Sequence, residues 1–386
     1  MTVPVPGRVG RYAGPLPAYL IDLAHLRTHV RAIRAALPDR VELWYAAKAN
    51  PDQPVLRALA GLVDGVEVAS GGELRHVRAA LPDARLSFGG PGKTAAELAI
   101  GLAAGVDRFH VESTHELRLL AVAAERLGRR ADVLLRANLA VSMTGAVLAM
   151  GGRPSPFGLD PAGLAACREI VRTAPILRLR GLHTHLASGL DAAGQLALAE
   201  QVLAWAAEVG GWAIAEVNLG GGMAVDYRLP GERFDWPAYG AGLARLAARH
   251  PDTVLRIEPG RSVTAYSGWY LTRVLDVKRS HGAVFAVLAG GTHQLRTPAA
   301  KGHDQPFAVL PTDDWPWPWE RPAATGEPVT LVGQLCTPKD VLARSVPVER
   351  IRAHDVVAFA LAGAYAWNIS HQNFLMHPPP AFAYLY

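Results

Sequence analysis

The chain has little cysteine, and this shortage limits both its fold and its compartment. Two cysteines, Cys167 and Cys336, occur among 386 residues, too few and too far apart for a disulfide framework. We therefore expect a reducing, cytoplasmic environment. The chain also lacks an uncharged apolar run of about 18 residues, so we predict that nothing spans a membrane. The Pro/Gly-rich residues 1–14 lack the apolar core of a signal peptide.

Concentrated charge of one sign is equally scarce. The formal net charge of +5 is spread over Arg-rich helices, and no Lys/Arg block alternates with aromatic side chains, so we predict no nucleic-acid partner. Half of the residues are hydrophobic and 19% are charged, which is usual for a globular enzyme. A chain of this length is expected to form about two or three domains.

Short apolar strands alternate with Ala/Leu/Arg-rich helices over residues 23–262. We predict eight strands there, at 41–47, 65–69, 85–88, 108–111, 132–137, 180–185, 215–219 and 254–258. The alternation favours parallel strands joined by crossover helices, and eight of them fit a (β/α)8 barrel. A doubly wound open sheet is the alternative. Beyond Arg261 strands follow one another without long helices, which predicts a mostly-β domain over 263–386, joined by an N-terminal arm of residues 1–22.

A lysine closes the first predicted barrel strand. Lys48 follows the apolar residues Trp44 to Ala47, and such surroundings partly desolvate the amine, lower its pKa and make it a better nucleophile. Schiff-base chemistry needs an amine of this kind. A surface lysine at a strand end is the alternative on this stretch alone.

Polar residues and glycines occupy the ends of other predicted strands, where a barrel places its active site. They are Glu67, Arg136, His183, His185, Ser188, Gly220–Gly222 and Glu258–Arg261. The glycine run suits a backbone that closely approaches a phosphate, with Arg261 as a second contact; a plain tight turn is the alternative. Glu258 could keep a ring nitrogen protonated, or pair with Arg256 or Arg261.

The two histidines of the sixth predicted strand allow two interpretations. His183 and His185 stand at i and i+2, so their rings would share a face of the strand and could bind a metal, as in barrel hydrolases. They could also act separately, one stacking on a cofactor and the other bonding in the core. A metal would need further ligands at later strand ends, where the chain has glycines and Glu-Pro-Gly-Arg. We therefore predict no metal site.

Cys336 lies in the turn-rich segment Gly333–Asp340 of the predicted β domain. A lone cysteine is usually a buried, inert thiol. A polar loop bounded by glycine and proline makes a reactive thiol more plausible. Farther along, Gly363-Ala364-Tyr365 ends a strand and offers a phenol.

Taken in order, these motifs resemble the fold-type III PLP-dependent decarboxylases, which include the diaminopimelate and ornithine/arginine decarboxylases. The matching segments span almost the whole chain: Tyr45–Asn50, Glu67–Leu74, His185–Gly189, Gly220–Gly222, Glu258–Arg261, Gly333–Asp340 and Gly363–Tyr365. The resemblance implies an alanine-racemase-like (β/α)8 barrel that binds pyridoxal 5'-phosphate, a C-terminal β domain, and a homodimer whose active sites are shared between subunits.

The resemblance also implies roles for single residues. Lys48 resembles the Schiff-base lysine, His185 the ring that stacks on the pyridine, and Glu258 the partner of the pyridine nitrogen. The implied phosphate contacts are Ser188, Gly221, Gly222, Arg261 and Tyr365, and we add Glu67 and Arg136 as cofactor contacts. Cys336 resembles the acid that reaches in from the neighbouring subunit. Arg296 and Asp340 resemble substrate contacts.

One departure from the family bears on the substrate. Diaminopimelate decarboxylases usually place Glu directly after this cysteine to hold the distal end of the substrate, and polyamine-type enzymes place Asp there. Here Thr337-Pro338-Lys339 follows. The tail from Trp367 to Pro378 resembles the branch of carboxylate-type siderophore pathways, which decarboxylates a citryl-diaminopropionate-like conjugate. Additional basic residues suit an acidic substrate or are solvated loop residues: His293, Lys301, His303, Lys339 and His371.

We therefore predict a PLP-dependent carboxy-lyase that acts on a carboxylate-rich amino-acid conjugate, with His293 among its substrate contacts. One alternative is a diaminopimelate-, ornithine- or lysine-type decarboxylase. Another is an amino-acid racemase on the same fold, with Lys48 and a tyrosine as opposed bases. A metal-dependent barrel hydrolase would use the His183–His185 pair instead. A non-enzymatic PLP-binding carrier would resemble the barrel alone.

Overall fold

The computed structural model describes residues 3–141, 148–149, 151–208 and 214–386; Met1 and Thr2 of the predicted arm lie outside these ranges. The chain forms two compact units. The larger consists of Arg27–Ala224 and Phe234–Val263, and the second consists of Met1–Leu26, Val225–Arg233 and Thr264–Tyr386. We call them the barrel unit and the β unit. The β unit takes in Val225–Arg233, which the sequence pattern left within the barrel region.

Eight parallel strands close into a barrel in the larger unit, as predicted. The strands are Val41–Ala46, Gly65–Val68, Leu86–Phe88, Arg108–Val111, Ala131–Arg136, Leu177–His183, Glu216–Asn218 and Val254–Ile257. The last strand pairs with the first, with Leu255 beside Val41. Closure leaves these strands without a free edge, so the open-sheet alternative is wrong.

One helix precedes the first barrel strand and others connect the barrel strands, and short polar side chains cap several of them. The longer helices are Leu23–Ala36, Gln53–Leu59, Gly71–Ala80, Ala95–Ala103, Thr114–Leu127, Pro161–Thr173, Ala192–Glu208 and Trp236–Arg249. Ser70 and Ser113 each accept the backbone N–H three residues on, and Thr94 forms a capping box with Glu97. Each cap satisfies a donor that the first helical turn cannot. Where the structure describes the chain, no helix is long and apolar enough to cross a membrane.

Eight strands form one sheet in the β unit. They are Ala18–Asp22, Gly268–Ser280, Ala283–Leu288, Phe307–Leu310, Ala323–Val332, Val341–Arg352, Val356–Phe359 and Ala381–Leu385. The N-terminal strand pairs with the start of Gly268–Ser280 and with Ala381–Leu385.

The sequence pattern missed the strand Val341–Arg352. It carries four arginine or glutamate residues and Pro347, which weaken a strand signal. It lies at the end of the strand order, and an edge position tolerates proline because no second neighbour needs its N–H. Register shifts near Val329 and Leu331 further break its alternation with the partner strand.

Candidate active site

Lys48 lies just beyond the first barrel strand. The strand ends at Ala46, and Ala47–Ala49 form a single 3-10 turn. The Lys48 Nζ donates to Glu67 Oε2 at 2.6 Å, and the lysine side chain is 44% exposed whereas Glu67 is buried. The buried carboxylate therefore orients an amine that a ligand can reach from the carboxyl end of the barrel.

Glu258 follows the last barrel strand, is buried, and is held by side chains. Its Oε1 accepts Asn218 Nδ2 at 2.8 Å and Ser87 Oγ at 3.0 Å. Its Oε2 lies 3.4 Å from His183 Nε2. Burial opposes the charged form, but the Asn218 amide, the Lys48 ammonium and the Arg256 guanidinium favour it, and the pKa of the carboxyl lies below its usual value. Glu258 is thus ionised at neutral pH.

Arg256, one of the two arginines considered as a partner of Glu258, pairs elsewhere. It bonds Glu42 and lies 3.3 Å from Glu216 Oε2. Arg108 also binds Glu216, with Nη2 to Oε1 at 2.6 Å. Burial raises the pKa of Glu216, but these arginines outweigh it and hold that pKa at about 2. The salt-bridge interpretation of Glu258 through Arg256 is therefore wrong.

His183 and His185 do different work. His183 is the last residue of its strand and stacks on His110, with ring centroids 4.1 Å apart and planes at 10°. His185 lies beyond the strand end, and its Nδ1 accepts the Gly221 N–H at 3.2 Å. Because Nδ1 accepts, the proton of the neutral ring lies on Nε2. Burial and the Lys48 ammonium hold the pKa of His185 down to about 3.

A cluster of three possible metal ligands lies here: one nitrogen or oxygen from each of His110, His183 and Glu258 is within 4.8 Å of the others. The two rings are stacked and nearly parallel. Their in-plane lone pairs therefore run side by side, whereas a metal needs ligands that converge on one point. Burial also holds the pKa of both rings well below the usual value. We interpret the pair as the neutral support of Glu258.

The glycine run Gly220–Gly222 passes too close to its neighbours for any side chain. A Cβ on these three residues would collide, in turn, with the backbone oxygens of Thr184, Glu258 and Ala187. Gly220 and Gly222 have φ of +69° and +100°, the region that favours glycine. The run therefore brings backbone close to His185 and Glu258, which a plain exposed turn would not need.

The other predicted barrel residues lie around this centre. Ser188 is half-buried in the short strand Ala187–Ser188, and Arg261 begins the short helix Arg261–Thr264. Arg136 ends its strand, and its Nη1 donates to the buried Glu112 Oε1 at 2.8 Å. Their roles as cofactor contacts stay predictions.

Sequence reasoning missed Ser87, His110 and Asn218, which together surround Glu258. Each is a buried polar residue at or near the end of a barrel strand. The available signal was a polar residue between apolar residues of a strand, as His110 between Phe109 and Val111. Such residues are informative because a buried polar group needs a partner.

In the β unit, Asp340 holds the turn that carries Cys336. Its Oδ1 accepts the Thr292 N–H at 2.6 Å and its Oδ2 accepts the Leu335 N–H at 2.8 Å. Cys336 is an exposed free thiol on this turn. Cys167 differs, because it is buried in a barrel helix and burial raises its pKa to about 11.

The three remaining predicted residues also lie in the β unit. The Arg296 N–H donates to Ser370 Oγ at 3.2 Å, and the hydroxyl of the next residue, Thr297, donates to the Tyr365 carbonyl at 2.6 Å. The segment that carries Arg296 is therefore tied to the one that carries Tyr365. His293 is buried. The proposed substrate and phosphate roles of these residues stay predictions, and the side chain of Lys301 lies outside what the structure describes.

Residues 23–265 match the family model described as pyridoxal-dependent decarboxylase, pyridoxal binding domain. The chain is 38% identical to the 2-[(L-alanin-3-ylcarbamoyl)methyl]-2-hydroxybutanedioate decarboxylase of Staphylococcus aureus, over 99% of this chain and 97% of that protein. It is 32% identical to the diaminopimelate decarboxylase of Zymomonas mobilis, over 94% and 86%. The diaminopimelate decarboxylase of Helicobacter pylori in complex with L-lysine shares the fold, with a TM-score of 0.83, 24% identity, and coverage of 97% and 92%.

Proposed function

The chain belongs to the pyridoxal-dependent decarboxylases, and on that premise we propose that its substrate is an amino acid whose side chain ends in a citrate-type dicarboxylate. The similarity to the S. aureus enzyme along nearly the full length of both proteins carries this proposal. In the substrate named for that relative, citrate is joined by an amide to the side-chain nitrogen of 2,3-diaminopropionate. Such a conjugate belongs to carboxylate-type siderophore assembly.

The charge of the distal end supports this choice. Diaminopimelate ends in a second amino-acid group, whose ammonium suits an acidic contact. A citryl end instead carries two carboxylates, which an acid would repel. Directly after Cys336 this chain has Thr337-Pro338-Lys339, of which none is acidic, and Lys339 is exposed.

Pyridoxal phosphate is the cofactor of this family, and the barrel residues fit it. When bound, it supplies the electron sink for the carbon–carbon bond that breaks. Lys48 presents an oriented amine for the aldehyde, and Glu258 presents an ionised, buried carboxylate for the ring nitrogen. The cradle Gly220–Gly222, which admits no Cβ, suits the phosphate together with Arg261 and Ser188.

The chain's own residues must also move one proton. Loss of carbon dioxide breaks the bond from Cα to the carboxyl carbon, and a new C–H bond forms with one proton from a donor. Cys336, exposed on a turn pinned by Asp340, suits this donor role, with Lys48 as the second candidate. His185 is neutral with its proton on Nε2, so it offers an uncharged ring face for stacking.

We further propose a cytoplasmic homodimer in which Cys336 of one subunit serves the barrel of the other. Lys48→Ala and Cys336→Ala parents would each be nearly inactive. After subunit exchange, half of the dimers would be mixed and each would hold one intact site, giving about a quarter of wild-type activity. No recovery in a sample that has demonstrably exchanged would show that the sites are not shared.

Carbon dioxide release from a substrate panel tests the function. Purified, pyridoxal-phosphate-loaded protein is mixed separately with citryl-diaminopropionate, meso-diaminopimelate, lysine and ornithine. We expect release from the conjugate alone. Release from diaminopimelate, lysine or ornithine instead would overturn the substrate assignment, and loss of optical activity without carbon dioxide release would favour the racemase alternative.

A further inference from the structure

Two histidine rings of the β unit, His293 and His377, lie with centroids 5.1 Å apart. His293 is 1% exposed, and neither ring nitrogen has a hydrogen-bond partner in the part of the chain that the structure describes. Burial lowers the pKa of His293 to about 4, so the ring is neutral at pH 7. Buried polar atoms without partners are costly, which indicates that a partner comes from outside these residues.

His377 is half-buried and has a fixed orientation. The Gln334 Nε2 donates to His377 Nδ1 at 2.7 Å. Because Nδ1 accepts this bond, the ring carries a proton on Nε2, which is thereby available as a donor.

Hydrogen bonds from a backbone N–H and from a side-chain amide hold this pair of histidines beside the turn that carries Cys336, the proposed acid. Gln334 stands two residues before Cys336, and its N–H donates to the Gly290 carbonyl at 2.8 Å. The Gln294 Nε2 donates to the Pro378 carbonyl at 3.0 Å. The tail with His377, the segment with His293 and the Cys336 turn are therefore one connected assembly within the β unit.

We propose that His377, supported by His293, is the donor that selects a substrate with carboxylates at its distal end. The inference rests on the proposed function. An imidazole N–H complements the two carboxylates of a citryl end. Diaminopimelate also has a carboxylate at its distal end, but the ammonium beside it needs an acceptor, which a protonated Nε2 cannot provide. The pair thus offers a hydrogen-bond donor to the distal end of the substrate, where diaminopimelate decarboxylases usually offer the acid that follows the cysteine.

His377→Phe tests the role, because it removes the donor and keeps an aromatic ring. We expect KM for citryl-diaminopropionate to rise about 10- to 100-fold, the loss typical for a hydrogen bond to a charged group, while kcat stays within about threefold. His377→Gln restores an N–H donor, so its KM should lie close to the wild-type value. His115→Phe, at an exposed position in a barrel helix, is the matched control and should leave both constants unchanged.

Two outcomes separate the inference from the proposed function. If wild type releases carbon dioxide from the conjugate but His377→Phe keeps its KM, the selector role is wrong and the function stands. If wild type acts on diaminopimelate alone, both are wrong. The Tm and the pyridoxal absorbance show whether His377→Phe folds. If it does not, Gln334→Leu is used instead, because it removes the hydrogen bond that orients His377. A several-fold rise in the KM of Gln334→Leu supports the role of His377, and an unchanged KM overturns it.

Discussion

Glu258 in the barrel unit and Asp340 in the β unit are both buried carboxylates, at 6% and 2% exposure, but different kinds of group hold them. Glu258 accepts hydrogen bonds from the Asn218 and Ser87 side chains. Asp340 accepts the backbone N–H groups of Thr292 and Leu335. Burial alone therefore does not distinguish the carboxylate that we propose for the cofactor from the one that holds a turn.

The kind of partner does distinguish them. Backbone donors on two loops become fixed in place when one carboxylate bridges them, so Asp340 determines the shape of the Cys336 turn. Side chains on rigid barrel strands already have fixed positions, so they can orient Glu258 for a ligand. Both Asn218 and Ser87 bond Oε1, and Oε2 lies 3.4 Å from His183.

The largest expected effect tests the barrel's part in the chemistry. Lys48→Ala should abolish turnover and the absorbance of lysine-bound pyridoxal, because it removes the amine that Glu67 orients and that we propose for the cofactor aldehyde. Lys278→Ala, an exposed lysine of the β unit, is the control and should behave as wild type. A fully active Lys48→Ala enzyme would contradict the scheme.

Replacing the Glu258 and Asp340 carboxylates by amides should affect different properties: the first should lower kcat, and the second should lower the free energy of unfolding. Glu258→Gln should lower kcat by about 100-fold or more, because it removes the charge that we propose faces the ring nitrogen of the cofactor, with little change in the free energy of unfolding. Asp340→Asn turns an NH2 group towards a backbone N–H, so it should cost about 1–3 kcal/mol of that free energy. Denaturant unfolding and steady-state kinetics measure the two effects, and equal losses of stability in both variants would break the comparison.

The two cysteines extend the comparison. Cys336→Ala should slow the reaction about 100-fold or divert it to side products, because it removes a proposed acid. Iodoacetamide should modify Cys336 first, since Cys167 is buried and its pKa is raised to about 11. Peptide mapping after partial inactivation identifies the modified thiol. Unchanged rate and products in Cys336→Ala would remove its role.

The smallest effect concerns pH. His110 and His183 have lowered pKa values because they are buried, while in the unfolded chain they titrate near 6.5. Their contribution to stability is therefore complete above that pH and is lost as the pH falls below it, where the unfolded chain binds more protons. Urea unfolding at pH 7.5 and 5.5 should show this decline, with a smaller decline in His110→Phe. The same decline in His110→Phe and in wild type would be inconsistent with a buried, neutral His110.

Local patterns account for what the sequence alone predicted. The eight barrel strands stand out because parallel strands buried on both faces are continuously apolar. Lys48, Gly220–Gly222 and Glu258 could be singled out because each follows such a strand directly. The strand Val341–Arg352 was missed because its pairing, and not its own composition, makes it a strand.

The sequence by itself thus determined the barrel, the family resemblance and the residues in its motifs. Only the tertiary structure decided the environment of those residues. Ser87 and Glu258 are 171 positions apart, and they meet because closure of the barrel fixes the register of strands that are remote in the chain. Likewise, only the packing of the loops showed that Asp340 binds backbone and that Gln334 orients His377. Such contacts depend on how remote segments of the chain are placed in three dimensions, and neither the hydrophobic periodicity nor the spacing of the motifs predicts that placement.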